Sequence, residues 1–349
     1  MEKQAIKAVA LISGGLDSML AAKVIQAQGI HVEGLNFYTG FCHSGHTSAI
    51  RKQKKEQNKR NDALWVAEAL AIKLHIIDVV EPYKAVLTKP KFGYGQHLNP
   101  CLDCKIFMVQ KAKEWMLENN FDFIITGEVI GQRLKSQRKA TMPIISKCSG
   151  ADDRLLRPLC ARNLPPTLPE KEGWVDREKL FGFSGRSRKP QIELAEQLSI
   201  EEFAQPAGGC CVLTDETYSR KLVDLWQSNG TREYEIDDII MLKVGRHLRP
   251  KKHFKLIIGR EEGENNFLAG YRKQFTHINI LSHTGPLVLI DGENITEEDL
   301  QLAAKISARY SDGKLDASVT VQINPIEGIS KIMQVSPMPI DAIEKAWYV

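Results

Sequence analysis

Six residues near the start of the chain combine groups that bind phosphate. An apolar run over residues 8–12 is followed by Ser13-Gly14-Gly15-Leu16-Asp17-Ser18, where a helical pattern begins. Paired glycines let backbone N–H groups approach an anion closely, and the N-terminus of the following helix is electropositive. The serines add hydroxyl donors and the aspartate adds a carboxylate. The spacing predicts a nucleotide phosphate site, and the alternative is a tight strand–helix turn.

This glycine loop differs from two common nucleotide-binding loops. No Gly-Lys-Ser or Gly-Lys-Thr follows at the spacing of a Walker A motif. The three-glycine fingerprint of dinucleotide-binding domains is also missing. The loop therefore belongs to another class of nucleotide site.

Four cysteines form a second group with chemical potential. Cys101 and Cys104 lie at a predicted helix start, and Cys210 and Cys211 are adjacent in a glycine-rich segment. Three interpretations compete: a [4Fe–4S] cluster on three cysteines with one open iron, structural zinc on four thiolates, or metal-free redox or persulfide-carrying cysteines. Because neighbouring side chains diverge, we expect one of Cys210 and Cys211 to face the site, which favours three ligands over four.

The other cysteines have simpler interpretations. The chain has seven cysteines and no secretory signal pattern, so thiols are expected rather than disulfides. Cys148 and Cys160 are interpreted as small apolar residues. Cys42 follows the second predicted strand, near the expected nucleotide site, and its role is left open.

Strands that alternate with helices must position these groups. Strands are predicted over residues 8–12, 31–37, 74–80 and 121–126, helices over 17–28, 48–71 and 101–119, and a loop over 81–100. This alternation favours a parallel sheet covered on both faces. Ligands bind at the carboxyl ends of such strands. We therefore expect Phe37, at the end of the second predicted strand, to lie near the glycine loop.

The pattern changes near residue 230. Strand-like runs follow over residues 239–244, 254–258, 278–281, 287–290 and 316–324, and Thr296-Glu297-Glu298-Asp299 predicts a capping box. The predicted fold class is α/β, a doubly wound parallel sheet followed by a smaller α+β C-terminal domain. The predicted domain limits are 1–231 and 232–349.

Composition narrows the function classes. The chain has 349 residues, 43% of them hydrophobic, and a net charge of +4. No apolar run reaches the roughly 18 residues of a membrane span, and no signal-peptide core precedes the first strand. We therefore expect no membrane partner and a cytoplasmic location. Basic clusters at residues 51–60 and 246–255 are either solvated faces or contacts to a phosphate backbone.

The motifs resemble those of a known superfamily. Ser-Gly-Gly-x-Asp-Ser resembles the PP-loop of the ATP pyrophosphatases, which have an adenine nucleotide α-hydrolase-like fold and cleave ATP to AMP and pyrophosphate. Asn99-Pro100-Cys101 and Gly208-Gly209-Cys210-Cys211 resemble the cysteine regions of the tRNA thiolation enzymes, namely the 4-thiouridine synthetases and the 2-thiouridylases. Thr126-Gly127 resembles the second nucleotide-binding turn of this fold. The likeness covers roughly residues 5–215.

This resemblance implies an activity and its residues. Ser13, Gly14, Gly15 and Ser18 would cradle the pyrophosphate of ATP, Asp17 would help to hold Mg²⁺, and Phe37, Thr126 and Gly127 would complete the nucleotide site. A uridine oxygen would attack the α-phosphorus, and sulfur would then displace AMP. The implied catalytic residues are Asp17, Cys101 and Cys210, and the implied ligands of a [4Fe–4S] cluster or zinc are Cys101, Cys104, Cys210 and Cys211.

The resemblance also implies partners. They are tRNA and a sulfur donor, either sulfide or a persulfide-carrying protein, and a homodimer is compatible with it. The C-terminal region bears a likeness to the RNA-binding domain of the NFACT proteins, so RNA binding is expected there. The competing functions are a PP-loop ligase for a small molecule and a non-catalytic RNA-binding protein with structural zinc. The cysteine set speaks against the first, and the intact PP-loop speaks against the second.

Overall fold

The computed structural model describes residues 5–42, 61–203 and 211–349. They form two compact units, of which the first ends at Thr214 and the second is Asp215–Val349. The helix Glu216–Asn229 is thus grouped with the second unit, whereas the sequence analysis assigned it to the first. The domain limits of 1–231 and 232–349 stay a prediction.

Strands and helices alternate through the first unit. They are β1 (Lys7–Leu11), α1 (Leu16–Gln26), β2 (His31–Tyr38), α2 (Asp62–Ala69), β3 (Leu74–Asp78), α3 (Val80–Thr88), α4 (Cys101–Glu118), β4 (Phe123–Ile125), α5 (Thr141–Cys148), β5 (Leu155–Leu156), α6 (Leu168–Lys171) and α7 (Lys189–Gln197). The strands form one parallel sheet in the order β3-β2-β1-β4-β5. The predicted doubly wound α/β fold is confirmed.

The sheet of the first unit is buried on both faces. Successive side chains of a strand point to opposite faces. Accordingly, Ala8 and Ala10 of β1 belong to the core cluster that contains α1, and Val9 belongs to the cluster that contains α4. All three residues are at most 1% exposed. This burial fixes the ends of the strands, and with them the loops that carry the predicted site.

Two predicted segments differ from the structure. The structure describes residues 61–71 of the helix predicted over 48–71, and α2 begins after Asn61, whose side chain accepts hydrogen bonds from Ala63 and Leu64 N–H. The basic cluster at 51–60 lies outside the described residues. Residues 81–88 of the predicted loop belong to α3, which begins at Val80. Pro82 is the third residue of that helix, where the missing N–H costs no helical hydrogen bond.

The second unit is an antiparallel sheet with helices. Its elements are α8 (Glu216–Asn229), α9 (Ile236–Met241), β6 (Arg246–Lys251), β7 (Phe254–Ile258), α10 (Glu262–Ala269), β8 (Thr276–Ile280), β9 (Val288–Gly292), α11 (Glu297–Arg309), β10 (Val319–Asn324) and β11 (Lys331–Val335). The strand order is β11-β10-β8-β9-β7-β6. The predicted smaller α+β domain is confirmed in its fold class.

Helix caps decide two elements of this unit. The capping box between Thr296 and Asp299 is confirmed, because the Thr296 hydroxyl accepts from Asp299 N–H at 3.2 Å. The strand predicted over residues 239–244 is wrong, because the chain is helical over α9. Glu235 and Asp238 form a second capping box, which starts a helix in a segment of strand-like composition.

No described helix has both the length and the apolar character that a bilayer crossing requires. The longest described helix, α4, has 18 residues, and charged side chains recur along it.

Candidate functional site

The loop between β1 and α1 is held in shape by its own serines. Ser18 Oγ donates to the Gly15 carbonyl at 2.8 Å and lies 3.4 Å from Ser13 N, as an acceptor. Gly15 is the N-cap residue of α1, and Ser13 is exposed. The Ser18 hydroxyl therefore fixes the loop, while Ser13 and the N-terminus of α1 face any incoming anion.

Gly14 lies very close to the first residues of α2, which is possible because glycine has no side chain. Its φ of +83° is a left-handed conformation. A Cβ at this position would lie 2.6 Å from Asp62 Cβ and 2.9 Å from Ala63 N. The start of α2 therefore packs directly on the loop, and a side chain is excluded.

Gly127 brings the loop after β4 onto the same backbone. A Cβ at Gly127 would lie 2.3 Å from the Asp17 carbonyl oxygen and 2.5 Å from Ser18 N. β1 and β4 are parallel neighbours in the sheet. β2 and β3 follow on one side of β1, and β4 and β5 lie on the other side, so the strand order reverses between β1 and β4. Doubly wound sheets bind ligands at such a point. The structure thus brings Thr126 and Gly127 to the glycine loop.

The Gly127→Ala variant tests this contact. We expect ATP affinity to fall about tenfold or more and stability to fall by about 1–3 kcal/mol, because the added methyl must push the loop aside. Gly182→Ala is the control, since its Cβ would meet no atom closer than 3.5 Å. Titration calorimetry with a non-hydrolysable ATP analogue measures the affinity. Unchanged affinity in Gly127→Ala would contradict the proposed loop contact.

Asp17 is held by one amide and one guanidinium. Gln132 Nε2 donates to Asp17 Oδ2 at 2.6 Å, and an Arg188 nitrogen lies 3.9 Å from the same oxygen. Gln191 Nε2 in turn donates to Gln132 Oε1 at 2.8 Å, and Gln191 is fully buried. Burial raises the pKa of Asp17, although Arg188 and the bond from Gln132 oppose the rise.

The second oxygen of Asp17 is suited to a cation. Within the described part of the chain, Oδ1 of Asp17 is buried and accepts no hydrogen bond. Such an oxygen is costly unless a ligand satisfies it. Mg²⁺ is commonly bound by one or two carboxylates together with substrate phosphates and water. Asp17, beside the glycine loop, fits that arrangement.

A buried ion pair supports the loop after β4. Glu128 Oε2 accepts from Thr126 Oγ1 at 2.9 Å and from Arg157 Nε at 3.0 Å. Glu128 is 1% exposed and Arg157 is 5% exposed. Burial alone would raise the pKa of Glu128, but Lys105, Arg157 and the Thr126 hydrogen bond outweigh it and lower the pKa. Glu128 is therefore ionised and anchors the turn that holds Gly127.

The Glu128→Ala variant is expected to lose about 3–5 kcal/mol of stability, because Arg157 is left buried without its partner. Glu114→Ala removes a partly exposed pair with Lys111 and should cost less than about 1 kcal/mol. Urea unfolding followed by tryptophan fluorescence compares the two variants.

The pH dependence adds a second test of the buried pair. Folding lowers the pKa of Glu128, so the ionised carboxylate stabilises the folded state at pH values above its ordinary pKa of 4.5. This stabilisation is lost as the pH falls through the lowered pKa. The difference between wild type and Glu128→Ala should therefore shrink below pH 4.5. Equal stability of the two proteins at pH 7 would contradict the role of the pair.

Phe37 and Thr126, both predicted to contact the nucleotide, have buried side chains. Phe37, near the end of β2, is 8% exposed and packs in the core cluster between the sheet and α4. Thr126 is 1% exposed and donates its hydroxyl to Glu128. Both lie at the carboxyl edge of the sheet, where their side chains pack below the loops that form the site. Their contact with the nucleotide stays a prediction.

Two cysteines of the predicted sulfur site, Cys101 and Cys211, lie on segments that contact each other. Cys101 is the first residue of α4, and its thiol donates to Ser136 Oγ at 3.3 Å. The Cys211 thiol donates to Asn99 Oδ1, two residues before Cys101, at 3.8 Å. Cys211 also pairs with Cys42 in an isolated antiparallel bridge. Asn99 thus links the segments of Cys101 and Cys211.

A metal centre on these cysteines is not formed by the described residues. No group of three metal-ligating side chains occurs within residues 5–42, 61–203 and 211–349. Cys104 lies in the first turn of α4, and Cys210 lies outside the described residues. The predicted ligand set of a cluster or of zinc therefore stays a prediction that depends on Cys210.

Sequence reasoning missed three polar residues of this site, namely Gln132, Gln191 and Glu128. The position of Gln132 and Glu128 after a strand end signals proximity to the glycine loop. Gln191 lies in α7, more than fifty residues later, and no spacing in the sequence links it to Asp17. Its role follows only from the packing of the helix.

Two family models match separate parts of the chain. Residues 6–149 match the model described as the tRNA methyl transferase HUP domain, which belongs to the PP-loop superfamily. Residues 245–348 match the model described as the NFACT protein RNA binding domain. Both resemblances suggested by the sequence are confirmed.

Individual relatives resemble longer parts of the chain. A tRNA-specific 2-thiouridylase MnmA of Mesoplasma florum is 31% identical over 287 residues, which cover 77% of this chain and 70% of that protein. A probable tRNA sulfurtransferase of Thermococcus kodakarensis is 30% identical over 190 residues, covering 54% of this chain and 44% of that protein. A solved 4-thiouridine synthetase–RNA complex with bound ATP has 21% identity and a TM-score of 0.40, covering 68% of this chain and 52% of that one.

Proposed function

Because this chain belongs to the family of the tRNA-specific 2-thiouridylases, we propose that it is an enzyme that thiolates a uridine of tRNA and uses ATP to activate the base. The observation that carries the proposal is the joint placement of two chemical groups in the first unit. The glycine loop with Asp17 lies at the carboxyl edge of the parallel sheet. The linked segments of Cys101 and Cys211 supply thiols in the same unit.

ATP activation uses the glycine loop. Ser13, Gly14, Gly15 and the N-terminus of α1 receive the pyrophosphate part of ATP. A uridine carbonyl oxygen attacks the α-phosphorus, pyrophosphate leaves, and an adenylated base remains. Positioning and charge neutralisation supply most of the rate in such a step. Mg²⁺, held by Asp17 and the phosphates, would neutralise charge on the phosphates, and Gln132 and Arg188 keep the Asp17 carboxylate in place.

Sulfur transfer uses the cysteines. A sulfur nucleophile attacks the adenylated carbon, AMP leaves, and the oxygen of the base is replaced. We assign this step to the thiols of Cys101 and Cys211. Cys210, which the resemblance implies as a catalytic residue, precedes Cys211 and lies outside the described residues. The sulfur donor is either sulfide or a persulfide-carrying protein.

The CxxC spacing supports a second proposal for the sulfur site, a [4Fe–4S] cluster on Cys101, Cys104 and one of Cys210 and Cys211. The described cysteines do not form a group of three ligands, so the proposed reaction does not use a cluster. Protein purified without oxygen should then be brown and contain iron, and the colour should be lost in Cys104→Ala. Colourless, iron-free protein that still thiolates tRNA would overturn the cluster proposal.

The second unit is proposed to bind the tRNA. Arg246 and Lys252 of the basic cluster are exposed and are available to a phosphate backbone. Lys251 is also exposed, but its ammonium group pairs with Asp299 at 2.6 Å. Two other members are not available in the same way. Lys255 is 2% exposed and lies 3.2 Å from Asp291, and Arg249 pairs with Asp224. The basic cluster thus divides into a buried structural part and an exposed part.

The proposal is tested with purified protein, ATP, unmodified tRNA, sulfide and Mg²⁺. We expect AMP, pyrophosphate and a thiolated nucleoside in equal amounts. ATP cleavage that neither needs tRNA nor yields a thiolated nucleoside would favour a ligase for another substrate. A cytoplasmic location and a homodimer, both compatible with this function, are part of the same proposal.

A further inference from the structure

Gln191 is a polar residue on the buried face of α7. Leu194 and Ala195, three and four residues later, belong to the core cluster that contains α1. Residues at these spacings share one face of a helix. Gln191 is 0% exposed, so it occupies a position where the helix pattern favours an apolar side chain. A buried amide is costly unless hydrogen bonds compensate it. The partners of this amide therefore decide what Gln191 contributes.

Gln191 uses the donor end of its amide. Its Nε2 donates to Gln132 Oε1 at 2.8 Å. Its Oε1 is buried and accepts no hydrogen bond from any residue of the described ranges 5–42, 61–203 and 211–349. Gln132 Nε2 donates in turn to Asp17 Oδ2 at 2.6 Å. The two amides thus form a chain of donors that ends on the Asp17 carboxylate.

The direction of this chain follows from the chemistry of its last member. An ionised carboxylate only accepts hydrogen bonds, so Gln132 must turn its Nε2 toward Asp17. The Oε1 of Gln132 then points the other way and needs a donor, which Gln191 supplies. Without that donor, the Gln132 amide can rotate and turn its oxygen toward the carboxylate. Burial raises the pKa of Asp17, and both glutamines oppose that rise by hydrogen bonding.

Backbone contacts hold the start of α7 against the loop that carries Gln132. Ile130 and Ser184 form an isolated parallel bridge, and Gly185 N–H donates to the Ile130 carbonyl at 2.7 Å. A Cβ on Gly131 would lie 3.3 Å from Gly185 N. The two segments are therefore in close contact just before Gln132 in one and just before α7 in the other.

From these contacts we propose that Gln191 is a positioning residue for the cation of the ATP-activation step. It acts through Gln132, which holds Oδ2 of Asp17 and leaves Oδ1 for Mg²⁺. Hydrogen bonds that orient a metal-binding carboxylate typically change metal affinity by about ten- to a hundredfold. The inference rests on the proposed function, in which Mg²⁺ and ATP bind together at the glycine loop.

The first measurement is titration calorimetry of the full chain with a non-hydrolysable ATP analogue, once with Mg²⁺ and once with EDTA. The ratio of the two dissociation constants measures the coupling between the cation and the nucleotide. Gln191→Met keeps a side chain of similar length and removes the donor. Gln197→Met is the matched control, because Gln197 is exposed at the end of the same helix.

We expect wild type and Gln197→Met to bind the analogue more tightly with Mg²⁺ than with EDTA. In Gln191→Met this gain should fall by about tenfold or more, while the affinity in EDTA stays that of wild type. A purely structural role would weaken binding equally under both conditions. An equal loss in Mg²⁺ and in EDTA, or an undiminished gain from Mg²⁺, would overturn the proposal.

Gln191→Asn is a second variant in case Gln191→Met does not fold. It keeps an amide, but its side chain is one methylene shorter and no longer reaches Gln132. The gain from Mg²⁺ should fall as in Gln191→Met. Urea unfolding of each variant shows whether it is folded. A folded Gln191→Asn protein with the full gain would overturn the proposal.

A double-mutant cycle tests whether Gln191 acts through Gln132. Gln132→Met alone removes the donor to Asp17, so Gln191→Met should reduce the gain from Mg²⁺ no further in that background. Independent effects of the two residues would multiply instead. Multiplied losses in the double variant would therefore overturn the proposed chain of donors.

These measurements separate the inference from the proposed function, because they need neither tRNA nor sulfur. A gain from Mg²⁺ that depends on Gln191, in a protein that thiolates no tRNA, would support the inference and count against the proposed function alone. A wild-type protein that binds the analogue equally in Mg²⁺ and in EDTA would overturn the inference together with the magnesium step.

Discussion

The Asp17→Asn variant is expected to fold normally and to lose pyrophosphate release and thiolation together, each on the order of a hundredfold or more. The physical reason is the loss of the carboxylate charge at the glycine loop. Oδ2 of Asp17 is fixed by Gln132, and Oδ1 is the oxygen that we assign to the cation. Asparagine keeps the shape of the side chain but no longer neutralises a metal ion.

The control for this prediction is Asp153→Asn, an exposed carboxylate in the same unit, which should retain full activity. Both variants are assayed for pyrophosphate release with saturating tRNA and for thiolated nucleoside by mass spectrometry. An Asp17→Asn protein with wild-type pyrophosphate release would show that Asp17 does not take part in ATP activation.

The Cys101→Ser and Cys211→Ser variants are expected to separate the two halves of the reaction. Each should still cleave ATP in the presence of tRNA, because the thiols bond to Ser136 and Asn99, which lie outside the glycine loop. Each should lose thiolated nucleoside by more than about a thousandfold, since removal of one member of a group that acts as a unit eliminates most of the rate. AMP and pyrophosphate should then form without a thiolated product.

Cys148→Ser is the matched control, because Cys148 is exposed at the end of α5. Pyrophosphate and thiolated nucleoside are quantified in the same reaction. If the cysteine variants lost ATP cleavage in proportion to thiolation, the separation into an activation half and a sulfur half would be wrong.

The parts of the fold that follow from local pattern could be predicted. The apolar run before Ser13, the glycines and the helical pattern after them gave β1, the loop and α1, because strand, turn and helix each carry their own local signal. The alternation of strands and helices gave the parallel sheet. The parallel sheet in turn gave the common edge that holds Gly127 and the glycine loop.

Two elements were predicted wrongly because their composition and their helix-start signals indicate different structures. The segment of α9 contains Ile239 and Ile240, which favour strands, but the capping box at Glu235 starts a helix. Residues 81–88 were predicted as part of a loop, although Pro82 in a first turn is compatible with α3. In both elements a helix-start signal, a capping box or a position that tolerates proline, outweighed a composition typical of a strand or a loop.

Within the site, contacts between segments far apart in the chain could not be predicted. Gln191 reaches Gln132 only because α7 packs against this edge of the first unit. The pairing of Cys42 with Cys211 joins segments more than 160 residues apart in the chain. Residue type indicated which cysteines were chemically interesting, whereas the tertiary structure showed which two of them face each other.

The central claim is that this chain thiolates tRNA by way of an ATP-activated uridine. The most direct measurement is mass spectrometry of tRNA nucleosides from a strain that lacks the gene and carries either no copy, the wild-type gene or the Asp17→Asn gene. The account predicts that one thiolated uridine disappears on deletion, returns with the wild-type gene and stays absent with Asp17→Asn. An unchanged set of thiolated uridines in the deletion strain would contradict the account.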